Sequence, residues 1–246
     1  MSSEKRRPRR TFLEIESDIM EAAKELIEEN GITNLSLRGV ARKAGIEFSV
    51  FYHRYKDLSA LLQKFIERYD YWYDEVITSF NNIDISHYPE YSKELFISLI
   101  DALRKNESMQ QILLWELMED NCITRRTNEM REQYTEHITT AFEQYFSENN
   151  LSANSRVIAG ILVAAIYFLI IHKGRATFCG IDYTTSEGLD LLANGIIHIL
   201  DGIYAEKAVD NELLEVAKRM KSRGIENQII AECTNLPMKK IKQIRI

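Results

Sequence analysis

Basic, hydroxyl-bearing and aromatic side chains concentrate between residues 36 and 56 of this 246-residue sequence. The basic members of that segment are Arg38, Arg42, Lys43, Arg54 and Lys56, and a second basic run, Lys5-Arg-Arg-Pro-Arg-Arg, precedes them. Arginine and lysine bind phosphate by charge, while hydroxyl and aromatic groups add hydrogen bonds and apolar contacts to bases. The chemistry that these residues predict is therefore binding to a polyanion.

The net charge of −6 hides an uneven distribution along the chain. Residues 1–57 carry 11 basic and 10 acidic side chains, residues 58–217 carry 12 and 25, and residues 218–246 carry 8 and 2. An acidic middle with basic ends fits a protein that meets a polyanion with one face and repels it with the rest.

Other kinds of site find little support in the sequence. Cys122, Cys179 and Cys233 are far apart, without CxxC spacing, and the histidines show no metal-ligand spacing. No G-x-S-x-G, P-loop or dinucleotide motif occurs. We therefore expect no enzyme activity, no cofactor and no metal.

The sequence favours a cytoplasmic protein. The cysteine pattern suits a reducing compartment, and the basic N-terminus has no apolar run behind it. The longest apolar run, Val157 to Ile171, has 15 residues and falls short of the roughly 20 that cross a bilayer. It predicts a buried helix and no membrane segment.

Helical periodicity dominates the chain, which contains only three prolines and ten glycines. An all-α fold is expected. The predicted helices span residues 12–30, 36–44, 48–54, 58–81, 92–106, 108–118, 125–148, 154–173, 186–205, 211–223, 225–233 and 238–244.

Two short apolar stripes flank Gly45: Leu37, Val40, Ala41 and Ala44 before it, and Val50, Phe51 and Tyr55 after it. The glycine permits a sharp turn, and the two alanines allow the helices to approach closely. This pattern predicts a helix-turn-helix whose second helix can enter a major groove about 12 Å wide. An earlier apolar stripe, from Ile15 to Ile27, predicts the supporting helix.

From Phe12 to Leu62 the sequence resembles the TetR family of bacterial transcriptional regulators. The resemblance rests on Ile-x-x-Ala-Ala-x-x-Leu, Val-Ala-x-x-Ala-Gly-Ile, Phe-Tyr-x-x-Tyr and Ala-Leu-Leu in order. It implies an N-terminal three-helix DNA-binding domain and a larger helical domain for ligand binding and dimerisation. The expected segments are a basic disordered arm (1–11), the DNA-binding domain (12–62), the effector and dimerisation domain (63–208) and a basic helical extension (209–246).

The resemblance also implies which residues contact double-stranded operator DNA. Arg38 occupies a base-contacting position, and Tyr52 matches a phosphate-contacting tyrosine. Phe48 is placed to touch a thymine methyl group. Lys56 is a candidate replacement for a phosphate-binding lysine that the family often has where Leu58 stands. The remaining expected contacts come from Ser36, Glu47, Ser49, His53 and Arg54.

The arm resembles minor-groove arms of other helix-turn-helix proteins, and Arg7, Arg9 and Arg10 are its expected DNA contacts. The alternative is a disordered solubilising tail.

By family analogy, the helices at 154–173 and 186–205 form a homodimer interface. The alternative is that they are the core of the monomer. An effector pocket for an unknown, mostly apolar small molecule is expected among the body helices, although most aromatic residues at helical spacing are core residues rather than ligand contacts. The candidate ligand-binding residues are Trp72, Tyr73, Arg104, Trp115, Tyr134, His137, Tyr167 and His172.

The tail after Asn211 resembles a second small helix-turn-helix unit. A helical hairpin packed on the body or on the dimer partner is the preferred interpretation, and the alternative is that its basic residues add phosphate contacts. For the whole chain, the preferred hypothesis is a repressor that binds a palindromic operator as a homodimer and is released by its effector. The alternative is a structural DNA-binding or protein-interaction dimer of the same fold without an effector.

Overall fold

A computed structural model describes residues 10–69, 87–149, 151 and 153–244. Within these ranges the regular secondary structure is helical and includes no β-strand. The all-α fold is thus confirmed, with a small N-terminal helical domain, a larger helical body and a short helical extension.

The chain forms helices close to the predicted positions. They are α1 (Phe12–Asn30), α2 (Leu37–Lys43), α3 (Phe48–Arg54), α4 (Leu58–Tyr69), α5 (Tyr88–Lys105), α6 (Glu107–Met118), α7 (Cys122–Glu148), α8 (Ser155–His172), α9 (Ser186–Ser222), α10 (Asn227–Thr234) and α11 (Met238–Gln243), with a 3₁₀ turn at Ile32–Asn34.

The predicted break between helices at 205 and 211 is wrong, because α9 is continuous from Ser186 to Ser222. Residues 204–211 contain no glycine or proline that would end a helix. The boundary expected at residue 208 therefore falls inside a helix. The predicted helix 58–81 is observed as far as Tyr69, and its remainder lies outside the described residues.

Local capping fixes the helix-turn-helix. The Ser36 hydroxyl accepts a hydrogen bond from the Gly39 backbone N–H at 3.1 Å and caps α2. A Cβ at position 39 would lie 2.9 Å from that hydroxyl, which explains the unusual glycine inside a helix. Gly45, at a φ of 64°, makes the turn into α3.

One hydrophobic core runs through the N-terminal domain and the body. Phe51 and Phe65 from the first four helices belong to the same buried cluster as Met109 and Ile112 of α6. The Ser108 hydroxyl of α6 also donates a hydrogen bond to the Glu28 carboxylate of α1, at 2.7 Å. The N-terminal domain is therefore packed onto the body through α6.

Residues 212–244 form a second, separate hydrophobic core at the far end of the chain. Its fully or almost fully buried members are Ala217, Ile230, Leu236 and Ile241. This segment, called the C-terminal unit below, consists of the end of α9 together with α10 and α11.

Candidate functional site

Helix α3 has one buried and one exposed face. Phe51 is fully buried and Tyr55 nearly so, while Phe48 is 38% exposed and Tyr52 51% exposed. Large aromatic groups at the surface of a seven-residue helix are not needed for its packing. They leave an apolar and hydroxyl-bearing surface free for a partner.

Arg38, Phe48 and Tyr52 lie together on that surface. The Arg38 guanidinium carbon lies 5.6 Å from the centre of the Phe48 ring, and the Tyr52 ring centre lies 6.1 Å from it. A cation over an aromatic face is attracted by the ring quadrupole, so Phe48 helps to position Arg38. We call these three residues the recognition patch.

The other predicted DNA contacts surround α2 and α3. Glu47, Ser49, His53 and Lys56 are exposed, as is Ser36, whose hydroxyl caps α2. Arg54 is half-buried, with its guanidinium carbon 3.8 Å from the centre of the Phe12 ring.

The arm reaches the helix-turn-helix at its last residue. Arg10 donates a hydrogen bond to the Ala44 carbonyl at 3.2 Å and pairs with Asp18 at 3.0 Å. These contacts place the end of the basic run, at Arg10, beside the turn between α2 and α3. Arg7 and Arg9 lie outside the described residues.

Two residues of this region make contacts within the protein that do not favour phosphate binding. Lys43 pairs with Glu25 and Glu29 of α1, at 2.9 and 2.8 Å, and the hydrogen bonds to these carboxylates raise its pKa. The charge of Lys43 is therefore neutralised within the protein, and Lys43 no longer counts among the basic residues expected to bind a polyanion. Leu58 packs against the core, which gives a structural reason for an apolar residue there.

A cavity of about 630 Å³ that is open to solvent on one side lies in the body between α6, α7 and α8. Of the predicted ligand-binding residues, Tyr167 and His172 line it. Its apolar walls include Leu113, Val163, Phe168 and Ile171. A narrower apolar cavity of about 80 Å³ adjoins it at Thr135 and Val163, which line both.

A buried ion pair that the sequence analysis missed lies in the wall of the large cavity. Arg131 of α7 donates hydrogen bonds from both terminal nitrogens to the Glu116 carboxylate of α6, at 2.6 and 2.7 Å. Their side chains are 9% and 5% exposed. The available signal was spacing, because Thr124, Thr127, Arg131 and Ile138 share the buried face of α7.

The other predicted ligand-binding residues lie elsewhere. Trp115 lines a separate cavity of about 330 Å³ that Gly31 and Ile32 of the N-terminal domain also border. Tyr134 and His137 are exposed on the outer face of α7 and are absent from the lining of both body cavities. Arg104 is exposed and pairs with Asp101 at 2.8 Å. Trp72 and Tyr73 lie outside the described residues.

Helices α8 and α9 expose apolar side chains. Ile161 is 62% exposed and Ile199 is 50% exposed, together with Val157, Phe168 and Leu191. By length and composition alone α8 would be able to cross a membrane, as core helices of many soluble proteins would, and only 22% of it is buried. The expectation that α8 is simply a buried helix is therefore wrong for its outer face, whereas Leu162 and Ile166 on the inner face belong to the core.

In the described part of the chain, no group of three or more His, Cys, Asp or Glu side chains is arranged to hold a metal ion. Cys122, Cys179 and Cys233 are unpaired by disulfides and exposed.

The described residues form a helix-turn-helix domain packed on a larger helical body. The sequence model described as "Bacterial regulatory proteins, tetR family" matches residues 19–64. Residues 19–64 thus carry the helix-turn-helix sequence of the tetR family of bacterial regulatory proteins.

Solved structures share this fold at low sequence identity. A TetR-like regulator from Rhodococcus sp. RHA1 is 17% identical, with a TM-score of 0.59 over 81% of this chain and 99% of that one. The fatty acid degradation regulator FadR from Bacillus halodurans is 14% identical, with a TM-score of 0.54 over 78% and 96%. FadR from Bacillus subtilis, in complex with stearoyl-CoA, is 14% identical, with a TM-score of 0.54 over 75% and 97%. No curated protein matches the chain.

The buried pair yields a stability prediction. Arg131→Met or Glu116→Leu alone breaks the buried ion pair and is expected to lower the free energy of unfolding by about 3–5 kcal/mol. The double variant is expected to recover most of that loss. Urea unfolding at one protein concentration measures all three, and a double variant that shows the sum of the single losses would contradict the prediction.

Proposed function

We propose that this protein is a transcriptional repressor that binds a palindromic DNA operator as a homodimer and leaves it when a small, mostly apolar effector binds the body. The observation that carries the proposal is the recognition patch of Arg38, Phe48 and Tyr52 on an exposed helix-turn-helix. The proposal also places the protein in the cytoplasm and gives it no enzymatic role.

The recognition patch offers three kinds of DNA contact. The Arg38 guanidinium can donate two hydrogen bonds to a guanine edge, and the Phe48 ring can contact a thymine methyl group. The Tyr52 hydroxyl can donate to a phosphate oxygen, which positions the helix without reading sequence. Arg10, beside the turn, starts the arm on the same domain.

The apolar outer faces of α8 and α9 support dimerisation. Gly160, Gly195 and Gly202 lie inside these helices, and a Cβ at each would meet nothing within 4 Å in the single chain. A glycine costs a helix about 1 kcal/mol relative to alanine, so their presence suits close approach by a partner helix. Such a four-helix interface would hold two DNA-binding domains at the spacing of about 34–36 Å that successive major grooves require.

The large cavity supports effector binding. Its volume of about 630 Å³ lies in the usual range for small-molecule sites, about 300–1,000 Å³. Its mostly apolar walls also carry two arginines, Arg131 and Arg175, and two carboxylates, Glu116 and Glu132, and suit an apolar molecule that carries one polar group. The complex of Bacillus subtilis FadR with stearoyl-CoA is a precedent for an amphipathic ligand in this fold.

Helix α6 provides the route from effector to DNA. Leu113 and Glu116 line the cavity, while Ser108 contacts α1 through Glu28 and Trp115 lies beside Gly31 and Ile32. An effector that moves Glu116 would move the contacts that hold the N-terminal domain. The alternative function, a DNA-binding or interaction dimer without an effector, is disfavoured by the size of the cavity.

The first test asks whether the protein prefers a particular DNA sequence. Selection from random duplexes with the full chain is expected to enrich a palindrome. Arg38→Ala is expected to weaken binding to it by about 1–3 kcal/mol and to relax the preference at one base pair of each half-site. Tyr52→Phe is expected to weaken binding to all duplexes alike. Arg126→Ala, on the exposed surface of α7, is the control, and the absence of any sequence-dependent binding at low salt would overturn the proposal.

Dimerisation is tested by charge on the apolar face. Ile161→Asp would bury a carboxylate in the proposed interface and is expected to convert the dimer to a monomer of 28.7 kDa. Ile97→Asp, at an exposed isoleucine of α5, is expected to leave the mass unchanged. Sedimentation equilibrium measures both, and a dimeric Ile161→Asp variant would place the interface elsewhere.

Effector binding is tested by filling the cavity. In a thermal-shift screen of fatty acids, acyl-CoA thioesters and neutral apolar compounds, at least one is expected to raise the Tm of the wild type. Val163→Trp, at the junction of the two cavities, is expected to abolish that rise, and Tyr134→Trp on the outer face of α7 to retain it. A full rise in the Val163→Trp variant, or no rise with any compound, would favour the effector-free alternative.

A further inference from the structure

The C-terminal unit repeats the helix register of the N-terminal helix-turn-helix. Helices α2 and α3 begin at Leu37 and Phe48, and α10 and α11 begin at Asn227 and Met238. Each of the later helices thus begins 190 positions after its counterpart, so the spacing from helix start to helix start is the same in both units.

The turns between the paired helices also have matching backbones. Gly45 has a φ of 64°, and Asn235, 190 positions later, has a φ of 54°. Asparagine is among the few non-glycine residues that adopt this left-handed conformation readily. The residues before the second helices agree as well, because Glu47 has φ −61° and ψ 136° and Pro237 has φ −57° and ψ 136°.

The buried positions follow the same register. Val40 and Phe51 are fully buried in the first unit, and their counterparts Ile230 and Ile241 are fully buried in the second. The supporting helices match too, because Ile27 of α1 corresponds to Ala217 of α9 and both are fully buried. The second unit therefore has the core of a helix-turn-helix as well as its turn.

The C-terminal unit stands as a structure of its own. Its core is separate from that of the body, and α10 and α11 pack chiefly on the end of α9 and on each other. The Lys221 ammonium group donates hydrogen bonds to the Ile241 and Ile244 carbonyls, both at 2.9 Å, and so holds the end of α11 against α9. The preferred expectation named two packing partners for this hairpin: packing on the body of the same chain is not observed, and packing on a dimer partner stays a prediction.

Charge identifies the kind of partner. Residues 218–246 contain 8 basic and 2 acidic side chains, whereas residues 58–217 are strongly acidic. Lys239, Lys242 and Gln243 are exposed on α11, the helix that corresponds to α3. Lysine and glutamine side chains bind phosphates and base edges.

We propose that the C-terminal unit is a second double-stranded DNA-binding helix-turn-helix, with α11 facing the duplex through Lys239 and Lys242. The protein then carries two DNA-binding elements per chain, at opposite ends of the sequence. This binding is additional to the proposed operator contact by the recognition patch and does not depend on it.

The test uses the full chain and a random-sequence duplex of about 40 base pairs, with affinity measured at several salt concentrations. Each phosphate contact contributes about 0.9 to the slope of log K against log salt concentration. The Lys239→Gln/Lys242→Gln double variant is therefore expected to reduce that slope by about 2 per chain. Lys105→Gln/Arg126→Gln removes the same charge from the exposed body surface and is expected to leave the slope unchanged.

A slope equal to that of the wild type in the Lys239→Gln/Lys242→Gln variant, or an equal loss in the body control, overturns the proposal. Ile241→Asp provides a second test. A carboxylate in the small core would disrupt the C-terminal unit, and we expect the same reduction in the slope of log K against log salt concentration. Failure of the operator hypothesis can be told apart from failure of this proposal. It would appear as an unchanged sequence preference in Arg38→Ala, whatever the salt slopes of the C-terminal variants.

Discussion

Helix α6 is the constraint on which the arrangement of the molecule depends. One face, with Met109, Ile112 and Trp115, packs into the core shared with the N-terminal domain, and another, with Leu113 and Glu116, lines the large cavity. Protein interiors are packed about as densely as organic crystals, so a helix held on both sides cannot shift on one side alone. The cavity and the DNA-binding domain therefore share a mechanical element.

The Glu116–Arg131 pair adds a polar connection to that element. It joins α6 to α7 through two short hydrogen bonds at a place where desolvation is costly. Replacement of such a pair by apolar residues of similar volume often leaves stability unchanged or raises it. The presence of the pair is therefore better explained by a role in fixing one arrangement of α6 and α7 than by a gain in stability. A buried pair at a cavity wall keeps two charged groups ready to exchange partners with a polar ligand group.

The helix-turn-helix was predictable because its determinants are local. The stripe from Leu37 to Ala44, the turn at Gly45 and the start of α3 at Phe48 are all set within twenty residues. The cavity was not, because residue type alone does not say which face of a long helix is buried. Tyr134, a predicted ligand-binding residue, is exposed, while Arg131, which no sequence motif singles out, is buried. The continuity of α9 contradicts the predicted break after residue 205, where the chain has no helix-breaking glycine or proline.

The length of α9 means that a small tilt of this helix within the body moves the C-terminal unit by several ångströms. Tyr204 is held in the body by a 2.6 Å hydrogen bond to Ser92 and by an edge-on contact with Tyr145. From there to Ser222 the helix continues for 18 residues, or about 27 Å at its usual rise per residue. A tilt of about 10° at Tyr204 would displace the far end by about 5 Å, roughly one helical turn. Small rearrangements between body helices thus become movements large enough to bring the unit into or out of register with a duplex.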